Sequence, residues 1–162
     1  MFAINGPWPG LLAIAPAPAP GNMLERNLRR WQRLGLTGVF SLLEPSERPG
    51  WEHEADICHS LGLNFYSLPI RDHAIPGPHE MEKVSQRLEE VERALQHGQR
   101  IAAHCFAGIG RSGMATVGLL MIAGIPMEDA IQRVSLARGL VCPETDEQVE
   151  WLASFDRFRR VS

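Results

Sequence analysis

Surplus positive charge is missing from this sequence. Its 16 Lys and Arg face 19 Asp and Glu, for a formal net charge of −3, so it carries no general electrostatic footprint for nucleic acid or an anionic membrane. Any anion binding must be local. Only three cysteines occur, Cys58, Cys105 and Cys142. Their odd number, wide spacing and lack of a CxxC pair argue against a disulfide framework and against zinc, and suit a reducing compartment. Long apolar runs are also missing. Leu11-Leu12-Ala13-Ile14-Ala15 has no Lys or Arg ahead of it and prolines at 16, 18 and 20 behind it, so it is expected to be neither a signal peptide nor a membrane span. On that reading the default compartment is the cytoplasm, with no nucleic acid and no membrane among the partners.

What is present suffices for one well-formed core, since 44% of the 162 residues are hydrophobic. Residues 1–162 are expected to form a single domain, with residues 1–20 as an N-terminal strap. The Ala-Pro alternation ending at Pro20 is extended and stiff, because proline fixes its own φ and restricts the residue before it. Asn22 is placed to cap a helix that turns Leu24, Leu28 and Trp31 inward and closes at Gly35. A strand at 39–43, a loop at 46–50, a helix over 51–61 stopped by Gly62, and a strand at 63–68 follow. Residues 70–78, holding Asp72, Pro76, Gly77 and Pro78, form a loop that is partly pre-set.

Over 79–97, Met81, Val84, Leu88, Val91 and Leu95 recur at steps of three and four, which predicts an amphipathic helix. Ile101-Ala102-Ala103 fits a buried central strand that delivers His104 and Cys105 at its carboxyl end. Residues 112–123 are apolar on nearly every face, as in a helix buried in the core. Two helices follow, one with Pro126 in its first turn and its end near Gly139, the other over 144–159. The alternation predicts an α/β fold with a mainly parallel central sheet flanked by helices on both faces, and such sheets bind ligands beyond the carboxyl ends of their strands. Cys105 stands at such an end. Cys58 shares the inward stripe of its helix with Leu61 and is expected to pack the core, with Cys142 slightly more open.

The chemistry concentrates in His104-Cys105-Phe106-Ala107-Gly108-Ile109-Gly110-Arg111-Ser112-Gly113. A phosphate ester resists attack because its oxygens are already negative, so a catalyst needs many donors around them and an ionised nucleophile. A strand that turns through Gly108 and Gly110 into a helix beginning near Arg111 aims backbone N–H groups and the positive helix end at one anion. The same field stabilises the Cys105 thiolate. Arg111, six positions after Cys105, brings a planar fork that grips two phosphoryl oxygens, which lysine would not reproduce. The segment Phe106, Ala107, Gly108, Ile109, Gly110 and Arg111 thus forms the substrate-binding cradle. Ser112 returns a hydroxyl toward the sulfur, stabilising it as a leaving group when phosphocysteine is hydrolysed, and His104 bonds to neighbouring backbone. The competing reading, a cysteine that merely fills the core, leaves the glycines and the arginine unexplained.

His104-Cys105, five intervening residues and Arg111-Ser112-Gly113 match HCxxGxxR[ST]G, and the chain thereby resembles the protein tyrosine phosphatase superfamily. The 39–44 segment ending Ser-Leu-Leu-Glu, the Leu68-Pro69-Ile70-Arg71-Asp72 loop and Pro143-Glu144-Thr145 resemble its small atypical dual-specificity members; the likeness runs from Leu11 to Phe158. It implies that Asp72, 33 residues before Cys105, is the general acid, with His73 as the competing donor. Asp56 and Asp129 read as solvated helix charge. The resemblance also implies that Gln148 can place the hydrolytic water, although an exposed helical glutamine would do nothing of the kind. Glu144 is expected to cap the last helix or to orient Arg111.

Small size and a single tyrosine imply a shallow site open to phosphoserine and phosphothreonine as well as phosphotyrosine. Uncharged side chains between Cys105 and Arg111 disfavour multiply phosphorylated lipids. The expected partner is a phosphorylated protein or peptide, met by a monomer that needs no cofactor and no metal. The alternatives are a phosphatase of a small molecule or of RNA 5′ ends, and a phosphoprotein-binding module without turnover; the latter usually lacks one of Cys105, Arg111, Ser112 and Asp72.

Overall fold

The structure is a computed structural model that describes residues 1–44, 47 and 49–161. Among these residues five strands, β1 (Phe2–Ile4), β2 (Leu11–Ala15), β3 (Gly38–Ser41), β4 (Asn64–Ser67) and β5 (Arg100–His104), form one sheet in the order β1-β2-β5-β3-β4. Only β1 runs antiparallel, on β2; the other pairs are parallel. Ala15 and Ser41 both register against His104, and Ser67 against Ser41. The four parallel strands therefore end along one edge, and the chain leaves β5 at the centre of that edge into Cys105.

Among the described residues six helices cover the sheet: α1 (Leu24–Arg33), α2 (Glu54–Ser60), α3 (Met81–Gln96), α4 (Arg111–Ile122), α5 (Met127–Arg138) and α6 (Asp146–Val161). Strand side chains alternate between the faces. Ile101, Ala103 and Phe40 join Leu88, Met114, Val134 and Leu152 of α3 to α6 in one apolar cluster. Ala102 and Val39 join Leu24, Leu28, Trp31 and Cys58 of α1 and α2 in the other. Helix α4 is buried along nearly its whole length, as its uniform apolarity requires.

Several expectations shift. The N-terminal strap is confined to the prolines: Phe2–Ile4 and Leu11–Ala15 are sheet strands, because β2 pairs with β5 along its edge and Leu12, Ala13 and Ile14 bury there. Asn22 does not cap α1. It lies in a 3₁₀ turn, Gly21–Met23, and Met23 takes the cap position without a capping side-chain bond. The helix expected over 51–61 begins only at Glu54. Of the loop expected at 46–50, Ser46 and Arg48 lie outside the described residues.

Candidate active site

The loop after β5 is shaped by close approach. Gly108 has φ +71°, and a Cβ there would lie 2.4 Å from the backbone of Ala15 at the end of β2, so only glycine fits. Arg138 of α5 holds the outer side: its Nε donates to the Gly108 carbonyl at 2.9 Å and its Nη2 to the Ala107 carbonyl at 3.1 Å. Carbonyls drawn outward leave loop N–H groups free to turn inward, toward the positive end of α4 at Arg111, where Gly113 N and Met114 N are already taken by the Ile109 and Gly110 carbonyls. The Arg138 guanidinium also lies 4.6 Å over the ring of Phe2, which ties β1 to the loop.

Inside this loop a cavity of about 150 Å³ is lined by Asp72, His73, Cys105, Phe106, Arg111 and Gln148, among others. The Cys105 sulfur lies 3.3 Å from Ser112 Oγ. Arg111, fully buried, places both Nη atoms on the Glu47 carboxylate, Nη2 also 2.9 Å from Asp72 Oδ1, and Nη1 on the Ile70 carbonyl at 2.9 Å. Burial opposes its charge, but Glu47, Cys105 and Asp72 more than offset that and raise its pKa above the ordinary arginine value. The planar fork is thus already spanned by carboxylate oxygens at the spacing that phosphoryl oxygens require.

Gln148 is buried, at 1% exposure, which removes the solvated-glutamine alternative. Its Oε1 accepts the backbone N–H of Glu144 and of Thr145, and the side chain lines the cavity. Glu144 does neither of the things expected of it. Thr145 Oγ1 caps α6 by accepting from Gln148 N at 3.2 Å, Glu47 and Asp72 hold Arg111, and the Glu144 carboxylate stands 3.9 Å from His73 Nδ1. His73, at φ +56°, also faces Asp72 Oδ2 at 3.9 Å.

Behind the loop, His104 Nδ1 lies 3.3 Å from the Cys105 carbonyl, an acceptor only, and Nε2 lies 2.8 Å from Glu54 Oε1. The second contact is close without linear alignment, and neither of its atoms has another hydrogen-bond partner among the described residues. Ser41 Oγ donates to Glu54 Oε2 at 3.2 Å, and Trp31 packs edge-on to the imidazole at 6.0 Å. A carboxylate this deeply buried is tolerable only when paired.

Glu47, Glu54 and Arg138 were not anticipated from sequence. Glu54 alone left a signal: it sits four and seven residues before Cys58 and Leu61 on the inward stripe of α2, where a charge requires a partner. Cys58 packs in the core as expected, its pKa raised to about 12 by burial and by Glu54. Cys142 is not more open but fully buried, because Ser135 Oγ binds both its N–H and its carbonyl; burial raises it to about 11. Among the described residues no group of three His, Cys, Asp or Glu could hold a metal ion.

A parallel sheet that delivers a cysteine into an anion-cradling turn closed by an arginine defines the class of cysteine-dependent phosphatase folds. Residues 22–125 match the family model described as polymorphic toxin system, DSP-PTPase phosphatase, and the chain belongs to that family. It is similar to Cyclin-dependent kinase inhibitor 3 of Sus scrofa, 28% identical over 136 residues that cover 82% of this chain and 63% of that protein. It is also similar to Dual specificity protein phosphatase 26 of Homo sapiens, 26% identical over 83% of this chain and 59% of that one. The chain thus matches about three fifths of the length of these curated relatives. Tk-PTP in its active form superposes with a TM-score of 0.76 and 27% identity, covering 96% of each chain. Kinase associated phosphatase carrying serine for its catalytic-site cysteine gives 0.75 at 20% identity, over 93% of this chain and 85% of that one, and shares the fold.

Proposed function

We propose that this chain is a protein phosphatase that hydrolyses phosphotyrosine, and phosphoserine and phosphothreonine as well, through a phosphocysteine intermediate. The observation that carries this reading is the convergence of Cys105, Arg111 and Asp72 on one cavity of about 150 Å³. A cavity of that size takes the phosphoryl group and leaves the rest of the residue at the rim, so aryl and alkyl esters are both admitted.

On binding, phosphoryl oxygens replace the carboxylates on Arg111 and accept from the loop N–H groups. The Cys105 thiolate attacks phosphorus in line, the ester P–O bond breaks, and Asp72 gives its proton to the leaving oxygen. Asp72 then takes a proton from a water placed by Gln148. The water oxygen bonds to phosphorus as the S–P bond breaks, inorganic phosphate leaves, and Ser112 hydrogen-bonds the returning thiolate. Aryl esters turn over faster, because phenoxide is the better leaving group. Phe106, Ala107, Gly108, Ile109 and Gly110 bring no charge to the loop, which supports singly phosphorylated substrates. Three free thiols support action in a reducing compartment.

The test is turnover of phosphotyrosyl and phosphothreonyl peptides in the presence of EDTA, with Cys105→Ser as the blank. Both peptides are expected to be hydrolysed, the first faster, with inhibition by vanadate and nothing above background for the variant. Wild-type rates in Cys105→Ser would end this reading.

A further inference from the structure

The loop that carries Asp72 and the first turns of α6 wall two spaces. Asp72 and His73 of the loop and Gln148 of α6 line the phosphate cavity. Close by on the same two elements, Ile75 and Pro76 of the loop and Glu147, Glu150 and Trp151 of α6 line a second groove of about 500 Å³, to which α3 adds Met81. The groove is therefore a neighbour of the phosphate cavity, reached across the same loop.

Its chemistry is mixed in a specific way. Glu147, Glu150 and Trp151 lie at i, i+3 and i+4 of α6, which is one helical face, so two exposed carboxylates and a buried indole share it. No ion pair among the described residues engages Glu147 or Glu150. The apolar walls are set before anything binds. The Trp151 ring stacks on Phe155 at 5.2 Å, and Pro76 is buried. The turn that leads from Gly77 into α3 is fastened by Gly77 N donating to Glu80 Oε2 at 2.8 Å and Glu80 N donating to the Gly77 carbonyl at 2.9 Å. Little ordering cost therefore opposes occupation.

We propose that this groove, on the phosphatase reading above, is the subsite for a lysine or arginine side chain of a peptide substrate, lying within about four positions of the phosphorylated residue, since an extended chain advances about 3.3 Å per residue. Such a side chain matches the lining: its aliphatic stem covers Ile75, Pro76 and Met81, and its cationic head meets Glu147, Glu150 and the Trp151 ring. A wholly apolar side chain would leave both carboxylates unused, and an acidic one would be repelled by both. The same carboxylates favour a polypeptide over an anionic lipid surface, which calls for Lys and Arg instead.

The experiment compares phosphotyrosyl peptides identical except for Arg, Met or Glu at one of the positions flanking the phosphotyrosine. They are tested on wild type, on Glu147→Gln combined with Glu150→Gln, and, for equal charge removed elsewhere, on Glu128→Gln combined with Asp129→Asn in the first turn of α5. At one position, or two adjacent ones, Arg is expected to raise kcat/KM about tenfold over Glu in wild type, with Met between them. The groove variant is expected to bring that ratio close to one, and the α5 variant to keep it. Met matching Arg would overturn the cationic subsite in favour of an apolar one. An Arg preference of equal size at every position, or one lost equally in the α5 variant, would overturn it in favour of attraction by the chain's net charge of −3. Equal rates on all peptides with 4-nitrophenyl phosphate still hydrolysed would overturn the groove alone, as would a ratio undiminished in the groove variant. No turnover of any ester by wild type would overturn the phosphatase reading and the groove with it.

Discussion

On the substrate side of the loop, Arg111 is held by Glu47 and by Asp72, whose side chain is 42% exposed. Behind the same loop, His104 and Glu54 meet with side chains 0% and 4% exposed. Both bring a carboxylate about one hydrogen-bond length from a side-chain nitrogen, yet their surroundings give them different work. In front, Glu47 is 10% exposed and Asp72 42%, so on the proposed function the Asp72 contact is the one that a phosphate can displace from the guanidinium. Behind, no solvent replaces a lost partner, so the contact fixes the ring against the Cys105 carbonyl and is costly to break.

This comparison can be sharpened from the front first. Arg111→Lys is expected to lower kcat/KM by about 10²- to 10³-fold with little change in the urea midpoint; a tenfold loss or less would mean that the fork is dispensable. Asp72→Asn is expected to slow hydrolysis of alkyl phosphates about 10²-fold and of 4-nitrophenyl phosphate only a few-fold, read as a steeper dependence on leaving-group basicity. An equal loss for both would assign proton donation elsewhere, with His73 the neighbouring candidate. From behind, Glu54→Ala is expected to reverse the pattern: it removes one partner of a buried pair and costs about 3–5 kcal/mol of unfolding free energy, while activity below the melting range falls by less than either front variant. Unchanged stability in Glu54→Ala would erase the distinction between the two faces.

The front of the site was far more legible in sequence than the back. Cys105, Arg111, Ser112 and the loop glycines are contiguous, and their spacing alone demands a strand-to-helix turn. Asp72 could be placed through its loop, and the helical periods of α3 and α4 were plain. The partners behind the loop come from α2 and α5, distant in sequence, and nothing local to Glu54 or Arg138 names a partner. Glu47 lies in a Pro-rich segment without periodicity. Strand β1, three residues long, is too short to carry an alternation, and β2 was masked by the prolines after it. Cys142 was misjudged because its burial depends on Ser135, which binds its backbone across a helix end.

The most direct test of the central claim is denaturing quench of wild-type protein during turnover of a phosphotyrosyl peptide, followed by mass spectrometry of the fragment carrying Cys105. Phosphate bonded to Cys105 is the predicted result, with none found in Cys105→Ser. Steady turnover with Cys105 unmodified, or phosphate on a different side chain, would contradict it.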